Sequence, residues 1–122
     1  MDMKKINYHN RHFVGLVNYD EGDFNSKTIF HYRQKSNVVW GTYKGGGVKF
    51  GTLIAAIIPD GSLDIRWQHV NIDGQIKTGK CRSFPELLPD GRIRLHESWK
   101  INNGPSGTSI AEEAQFTKRS KK

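Results

Sequence analysis

The chain has 122 residues and a mass of 13.9 kDa, a size that favours one domain over residues 1–122. Its longest aliphatic run, Leu53 to Ile58, is six residues, far short of the roughly 20 that a membrane-spanning helix needs. A single cysteine excludes an internal disulfide, and a formal charge of +7 suggests a nucleic-acid partner only if that charge lies on the folded body.

Turn-forming residues divide the chain at short, even intervals. Glycine beside Asp or Asn is what a tight hairpin requires, because a turn residue must adopt a positive φ. No stretch longer than ten residues has a helical period, which disfavours a βαβ nucleotide-binding fold. The segments between turns predict eight strands, near residues 13–18, 28–34, 38–44, 48–58, 62–71, 76–83, 92–101 and 109–116.

Eight strands joined by hairpins form an up-and-down meander, which leaves two exposed edges unless the sheet closes on itself. Eight strands can close into a barrel that is filled by side chains or holds one small ligand. The last segment is ambiguous, because Ser109 to Glu112 also matches a helix capping box. The sequence therefore predicts a barrel over residues 13–116, with 109–116 as its closing strand or as a terminal helix.

The positive charge is concentrated at the two ends of the chain. Residues 1–12, an expected N-terminal arm, contribute +2, and residues 117–122, an expected disordered basic tail, contribute +4. The body between them therefore carries only +1. Terminal charge runs are usually solvated, so nucleic acid is a disfavoured partner, although an interaction module built on the basic tails stays an alternative. The absence of an apolar leader and the lone thiol predict a cytoplasmic protein with no membrane partner.

Turn lengths also predict the register of the hairpins. A three-residue loop at residues 59–61 places Ile58 opposite Ser62, and the next hairpin places Gly79 opposite Trp67.

The same rule predicts the registers of the two earlier hairpins. A three-residue loop at residues 45–47 sets Gly41 opposite Gly51, and a four-residue loop, Gln34 to Asn37, precedes the third strand. Together these registers assign every strand an inner and an outer face.

The inner face is mostly apolar but carries aromatic and polar side chains that we expect to bind a ligand: Tyr32, Tyr43, Trp67, His69, Glu97 and Trp99. Arg66 joins this set if one turn slips, because a slip of one residue reverses the faces of a strand. The inward glycines leave space, which predicts a pocket of roughly a few hundred Å³. The alternative is that Trp67 and Trp99 fill the space that the glycines leave.

Glu97 lies on this inner face, where a carboxylate is costly unless a cation pairs with it or its pKa rises. Arg66 or His69 is the expected partner. A carboxylate beside histidine can act as a general acid or base near neutral pH. The alternatives are a structural ion pair or a carboxylate that lies at the mouth of the barrel.

Metal and cofactor chemistry have little support in the sequence. The phasing places His31 and His96 outside and His69 inside, so the histidines do not converge on one point. The glycines at residues 45–47 lack the order of a phosphate-binding loop. Alternation directs the basic neighbours of Cys81 to the opposite face, which predicts a buried, inert thiol. We therefore expect no metal and no cofactor.

The outer face of the early strands is unusually apolar. It carries Ile29, Val38, Trp40, Val48, Phe50 and Ile54. A contiguous apolar patch usually marks an interface, so we expect a homodimer. The alternative is that the N-terminal segment folds over the patch.

Several motifs resemble a family of short bacterial proteins that often carry the name N-acetylglutamate synthase. The likeness runs over nearly the whole body, through Thr28 to Tyr32, Val39 to Gly46, Gly51 to Ile54, Ile65 to Asn71 and Pro89 to Trp99. The resemblance implies a small β-rich protein and acetyl transfer from acetyl-CoA to glutamate, and it assigns no catalytic residue.

The sequence thus predicts an all-β fold, a single antiparallel meander of about eight strands closing into a lipocalin- or avidin-like barrel. No glycine-containing turn leads from a strand into a helix, the arrangement that usually holds the pyrophosphate of acetyl-CoA. We therefore expect the barrel interior to bind a small molecule, with acetyl transfer as the alternative, using Glu97 or His69 as base.

Overall fold

The computed structural model describes residues 6–17 and 22–114 of the chain. Eight antiparallel strands follow one another around a closed barrel, and β1 pairs with β8 to complete it. The strands are β1 (Arg11–Val17), β2 (Ile29–Lys35), β3 (Val38–Gly45), β4 (Val48–Ile57), β5 (Leu63–Asn71), β6 (Ile76–Leu87), β7 (Ile93–Ile101) and β8 (Ser106–Glu113). The predicted all-β meander and its closure are confirmed.

The closing strand β8 settles the ambiguity of the last segment. It pairs with β7 on one side and with β1 on the other, so the helix alternative is wrong. Pairing on both sides satisfies backbone groups that an open edge would expose. The Arg11 guanidinium also lies 2.8 Å from the Glu113 carboxylate across the β1–β8 seam. The basic tail at residues 117–122 falls outside the described residues, as do residues 1–5 of the arm.

Two predicted hairpin registers are confirmed. The Ile58 amide donates a 2.9 Å hydrogen bond to the Ser62 carbonyl, and Gly61 adopts φ +90° in the three-residue loop between them. On the next hairpin, Trp67 lies opposite Gly79. Turn chemistry alone was sufficient here, because each loop has the length and the positive-φ glycine that its turn type requires.

The two earlier hairpins differ from the prediction. A two-residue turn joins β2 to β3, with Lys35 opposite Val38, so the predicted four-residue loop is wrong. Gly41 lies opposite Leu53 instead of Gly51, which faces Tyr43, because a bulge interrupts the register near Gly45. Both errors shift the register by two residues, and a shift of two keeps every side chain beyond the bulge on its predicted face.

Val48 is the residue whose face was predicted incorrectly. It is buried, at 3 % exposure, although the sequence pattern places it on the outer apolar patch. Register shifts occur on both sides of it, near Gly45 on β3 and between Val48 and Phe50 on β4. A bulge adds one unpaired residue and so reverses the alternation beyond it.

The two ends of the barrel are closed by different segments. At one end Tyr8, 1 % exposed, packs near Tyr32, and its amide donates to the Gln34 side chain at 2.8 Å. Fully buried aliphatic side chains fill the half of the barrel next to Tyr8: Val39, Leu63, Ile93 and Leu95. The segment 22–28 lies at the opposite end, beside the β3–β4 turn. Among the described residues, the interior space lies in this second half.

Candidate functional site

The barrel encloses a cavity of about 60 Å³ in the half next to segment 22–28. Six aromatic side chains contribute to its wall: Phe24, Phe30, Tyr32, Tyr43, Trp67 and Trp99. The remaining lining residues are Leu53, Ile65, Cys81, Glu97, Ile101 and Ser109. Among the described lining residues, Phe24 alone comes from a loop, so strands β2 to β8 fix the rest of the wall.

Five of the seven side chains predicted to bind a ligand line this cavity, namely Tyr32, Tyr43, Trp67, Glu97 and Trp99. His69 is buried at 3 % exposure and lies at the rim, with its ring 5.5 Å from that of Trp67. Arg66 lies on the outer face, where its side chain is 57 % exposed and bonds to Asp64. No turn slipped by one residue here, so the faces of β5 are as predicted and Arg66 does not point inward. The role of these residues in binding stays a prediction.

Cross-strand glycines make room for three of the aromatic rings. Tyr43 lies opposite Gly51, Trp67 opposite Gly79 and Trp99 opposite Gly107. A methyl group added to any of these glycines would overlap the facing ring. Glycine in a strand often marks such a close approach. The rings therefore lie against the barrel wall, and part of the interior remains open.

Glu97 lies at the middle of β7 and is 9 % exposed. The Ser109 hydroxyl on β8 donates a 3.1 Å hydrogen bond to its Oε1 atom, a contact that the sequence analysis did not anticipate. Arg66 points away from the interior, and both ring nitrogens of His69 bond to other groups. The predicted pairing of Glu97 with either of these cations is therefore wrong.

The Tyr32 phenol and the Cys81 thiol, which both line the cavity, stay protonated. Burial, followed by the negative charge of Glu97, raises the pKa of the Tyr32 phenol well above its usual value. The same two causes raise the pKa of the Cys81 thiol. A thiol held in this form is a poor nucleophile, which agrees with the predicted buried and inert cysteine.

A hydrogen-bonded chain of three side chains holds segment 22–28 against the barrel. The Tyr43 hydroxyl lies 3.0 Å from Nδ1 of His69, and Nε2 of His69 lies 2.8 Å from Oδ2 of Asp23. Asn71 donates to the other Asp23 oxygen at 3.3 Å. Burial, followed by the charge of Asp23, raises the pKa of Tyr43. Tyr43 therefore remains a neutral hydroxyl within this chain.

The glycine turn between β3 and β4 is the surface on which segment 22–28 lies. The Gly47 amide donates a 2.8 Å hydrogen bond to the Asp23 carbonyl. A methyl group at Gly46 would lie 2.6 Å from the Asn25 side chain, and one at Gly45 would overlap the Lys27 carbonyl. By their sequence alone, these glycines predict only a hairpin. Three successive glycines, more than a hairpin needs, were the signal that another segment packs there.

Phe24 places its ring over the mouth of the cavity. Its centroid lies 5.4 Å from that of Trp67, edge to face, and 5.6 Å from that of Tyr43. It also lies 5.2 Å from the His69 ring. Edge-to-face packing at these distances is favourable for aromatic rings. Phe24 and Asp23, both absent from the predicted site, therefore close this end of the barrel.

The other features singled out in the sequence lie on the outer surface. His31 stacks on His12 at 4.2 Å, and His96 bonds to Glu86. Within the described ranges, no three His, Cys, Asp or Glu side chains converge to hold a metal ion. The same part of the chain contains no helix long and apolar enough to cross a bilayer. On strands β2 to β4 the exposed large apolar residues are Ile29, Val38, Trp40, Phe50 and Ile54.

Comparison with known proteins supports the architecture. A family model described as Avidin-like protein matches residues 6–114. No curated protein and no solved structure matches the chain.

Proposed function

Because the chain belongs to the avidin-like family, we propose that it binds a small molecule inside the barrel, at the end covered by Phe24. Barrels of eight strands have an interior that side chains can fill or that one small ligand can occupy. In this barrel, side chains fill the half beside Tyr8, and the half beside Phe24 contains the cavity.

The observation that carries the proposal is the composition of the cavity wall. Ligand sites are typically apolar and aromatic, with a few polar groups that fix orientation. Here six aromatic rings form much of the cavity wall, which also contains the Glu97 carboxylate and the Ser109 hydroxyl. A cavity left by imperfect packing alone would have no reason to carry a carboxylate, because burial of that group is costly.

The size of the cavity supports a binding mode in which the Phe24 ring moves aside for the ligand. The volume of about 60 Å³ is smaller than the few hundred Å³ that the sequence analysis anticipated. A cavity of about 150 Å³ is enough for benzene, and about 10–15 Å³ is enough for one water. The closed form thus accommodates a few waters. A larger ligand requires the Phe24 ring to leave the mouth, since the strands fix the rest of the wall.

The three tryptophans of the chain supply a direct readout of binding. Trp67 and Trp99 line the cavity, whereas Trp40 lies on the outer face at 38 % exposure. We expect small neutral, cationic or anionic probes that bind inside to shift the indole N–H resonances of Trp67 and Trp99 saturably, with that of Trp40 unchanged. The function is wrong if no probe shifts either resonance, in the wild type or in Phe24→Ala.

Acetyl transfer is the alternative that the resemblance implies. Its measurement is thiol release from acetyl-CoA in the presence of glutamate. Turnover above background that is lost in Glu97→Gln or His69→Gln would favour an enzyme, because these are the bases that the sequence analysis offers for proton transfer.

A further inference from the structure

The charge on the cavity wall indicates the class of ligand, an inference that rests on the function proposed above. We propose that the cavity takes a small ammonium or amine cation. The described wall combines six aromatic rings with the Glu97 carboxylate, and none of its residues is a lysine, an arginine or a histidine. An aromatic enclosure with a carboxylate is the chemistry that recognises ammonium groups.

Trp99 and Glu97 form the centre of the proposed site. They are two residues apart on β7, so both side chains point into the barrel next to each other. Gly107 lies across the strand from Trp99 and gives its indole room against the wall. Tryptophan attracts a cation over its ring face more strongly than the other aromatic side chains do. A cation beside Trp99 would also lie within reach of the Glu97 carboxylate.

Glu97 is the carboxylic acid of the described cavity wall, whose other ionisable side chains are two phenols and a thiol. Burial first, and then the charge of Glu97, raises the pKa of the Tyr32 phenol and of the Cys81 thiol. Both groups therefore stay neutral. His69 is the basic side chain at the rim, and its Nε2 atom bonds to the Asp23 carboxylate.

The other ligand classes fit this wall less well. An anion would approach a carboxylate in a site with little water, where repulsion between like charges is strong. A wholly apolar ligand would offer the Glu97 carboxylate neither a hydrogen bond nor an opposite charge. An ammonium group satisfies both requirements, because it supplies a charge of opposite sign and tolerates the aromatic faces.

Three probes of nearly the same shape separate charge from size. Choline, 3,3-dimethyl-1-butanol and 3,3-dimethylbutanoate share a branched head and carry charges of about +1, 0 and −1 near neutral pH. We expect choline to shift the Trp67 and Trp99 indole resonances with a Kd at least about ten-fold below that of the neutral alcohol. We expect the carboxylate probe to bind most weakly.

Two variants and a control assign the preference to the site. Glu97→Gln should bring the choline and alcohol Kd values together, and Trp99→Leu should weaken choline binding. Glu86→Gln removes an exposed carboxylate that bonds to His96, so it should leave the preference unchanged. Dispersed indole resonances verify that each variant is folded, and Trp99→Leu gives an independent result if Glu97→Gln unfolds.

Three outcomes would overturn the cation proposal. They are equal or tighter binding of the neutral alcohol, a charge preference that survives Glu97→Gln, and binding of none of the three probes. The proposed function would survive each of these results as long as another probe shifts the Trp67 and Trp99 resonances. The function fails only if no probe does.

Discussion

Trp67 on β5 faces Gly79 on β6, and its indole occupies the space that any side chain at Gly79 would need. The same relationship joins Trp99 to Gly107 and Tyr43 to Gly51. Each glycine holds a large ring against the wall, and the cavity depends on that arrangement.

The first prediction concerns the pair of Trp67 and Gly79. Gly79→Ala would place a methyl group against the Trp67 indole and 2.6 Å from the Lys100 carbonyl oxygen. Overpacking of this kind should lower the free energy of unfolding by about 1–3 kcal/mol and shift the Trp67 indole resonance. Urea unfolding and NMR measure the two effects. Gly104→Ala is the control, since its nearest neighbour is the Ile101 side chain at 3.1 Å. Equal stability of the two variants would refute the argument.

The second prediction concerns segment 22–28. Asp23→Ala removes the acceptor that bonds to His69 and Asn71, and a buried polar group left without its partner costs about 1–3 kcal/mol. The segment should then leave the barrel more often. Exchange of the Gly47 amide, which donates to the Asp23 carbonyl, should become about ten-fold faster or more. Asp60→Ala, at the opposite end, should leave it unchanged, and unaltered exchange in Asp23→Ala would contradict the role of this contact.

The third prediction concerns the β7–β8 pairing at low pH. Burial alone would raise the pKa of Glu112, but hydrogen bonds from Arg92 and Arg94 outweigh it and hold the pKa below its usual value. In the unfolded chain Glu112 has the usual pKa of about 4.3, so this contribution to stability is complete above that pH. It is lost as the pH falls through the lower pKa of the folded state. The stability difference between wild type and Glu112→Gln in urea should therefore shrink on acidification, and a constant difference would contradict this account.

The fourth prediction concerns the outer apolar patch. Its residues Ile29, Trp40, Phe50 and Ile54 are 38 to 56 % exposed, and we expect them to form the interface of a homodimer. Light scattering at micromolar concentration should give the dimer mass for the wild type and the monomer mass for Ile54→Lys. Phe84→Lys changes an exposed residue of β6 outside this patch and should remain dimeric. A monomeric wild type would end this proposal.

Much of the barrel was predictable because its strands follow the simplest rule of sequence patterning. Alternation assigns inside and outside, and the 59–61 loop and the turn before Gly79 fix their registers by their length. Errors of two residues on either side of β3 left the faces correct. Val48 was misplaced because a bulge depends on how the glycine turn packs, and local sequence does not specify that.

The candidate site was predictable only where strands form it. Tyr32, Trp67 and Glu97 follow from alternation. The hydrogen bond from Ser109 to Glu97 depends on the position of β8, whose conformation the sequence left open. Asp23 and Phe24 belong to a segment without periodicity. Their place in the site results from contacts with a turn and with His69 that lie far away in sequence.

The most direct test of the central claim is to locate a bound probe by nuclear Overhauser effects. With choline at saturation, the methyl protons should show contacts to the ring protons of Trp67 and Trp99 inside the barrel, and none to those of Trp40 outside. Contacts to Trp40 alone, from a probe that binds saturably, would place the ligand on the surface and contradict binding in the interior.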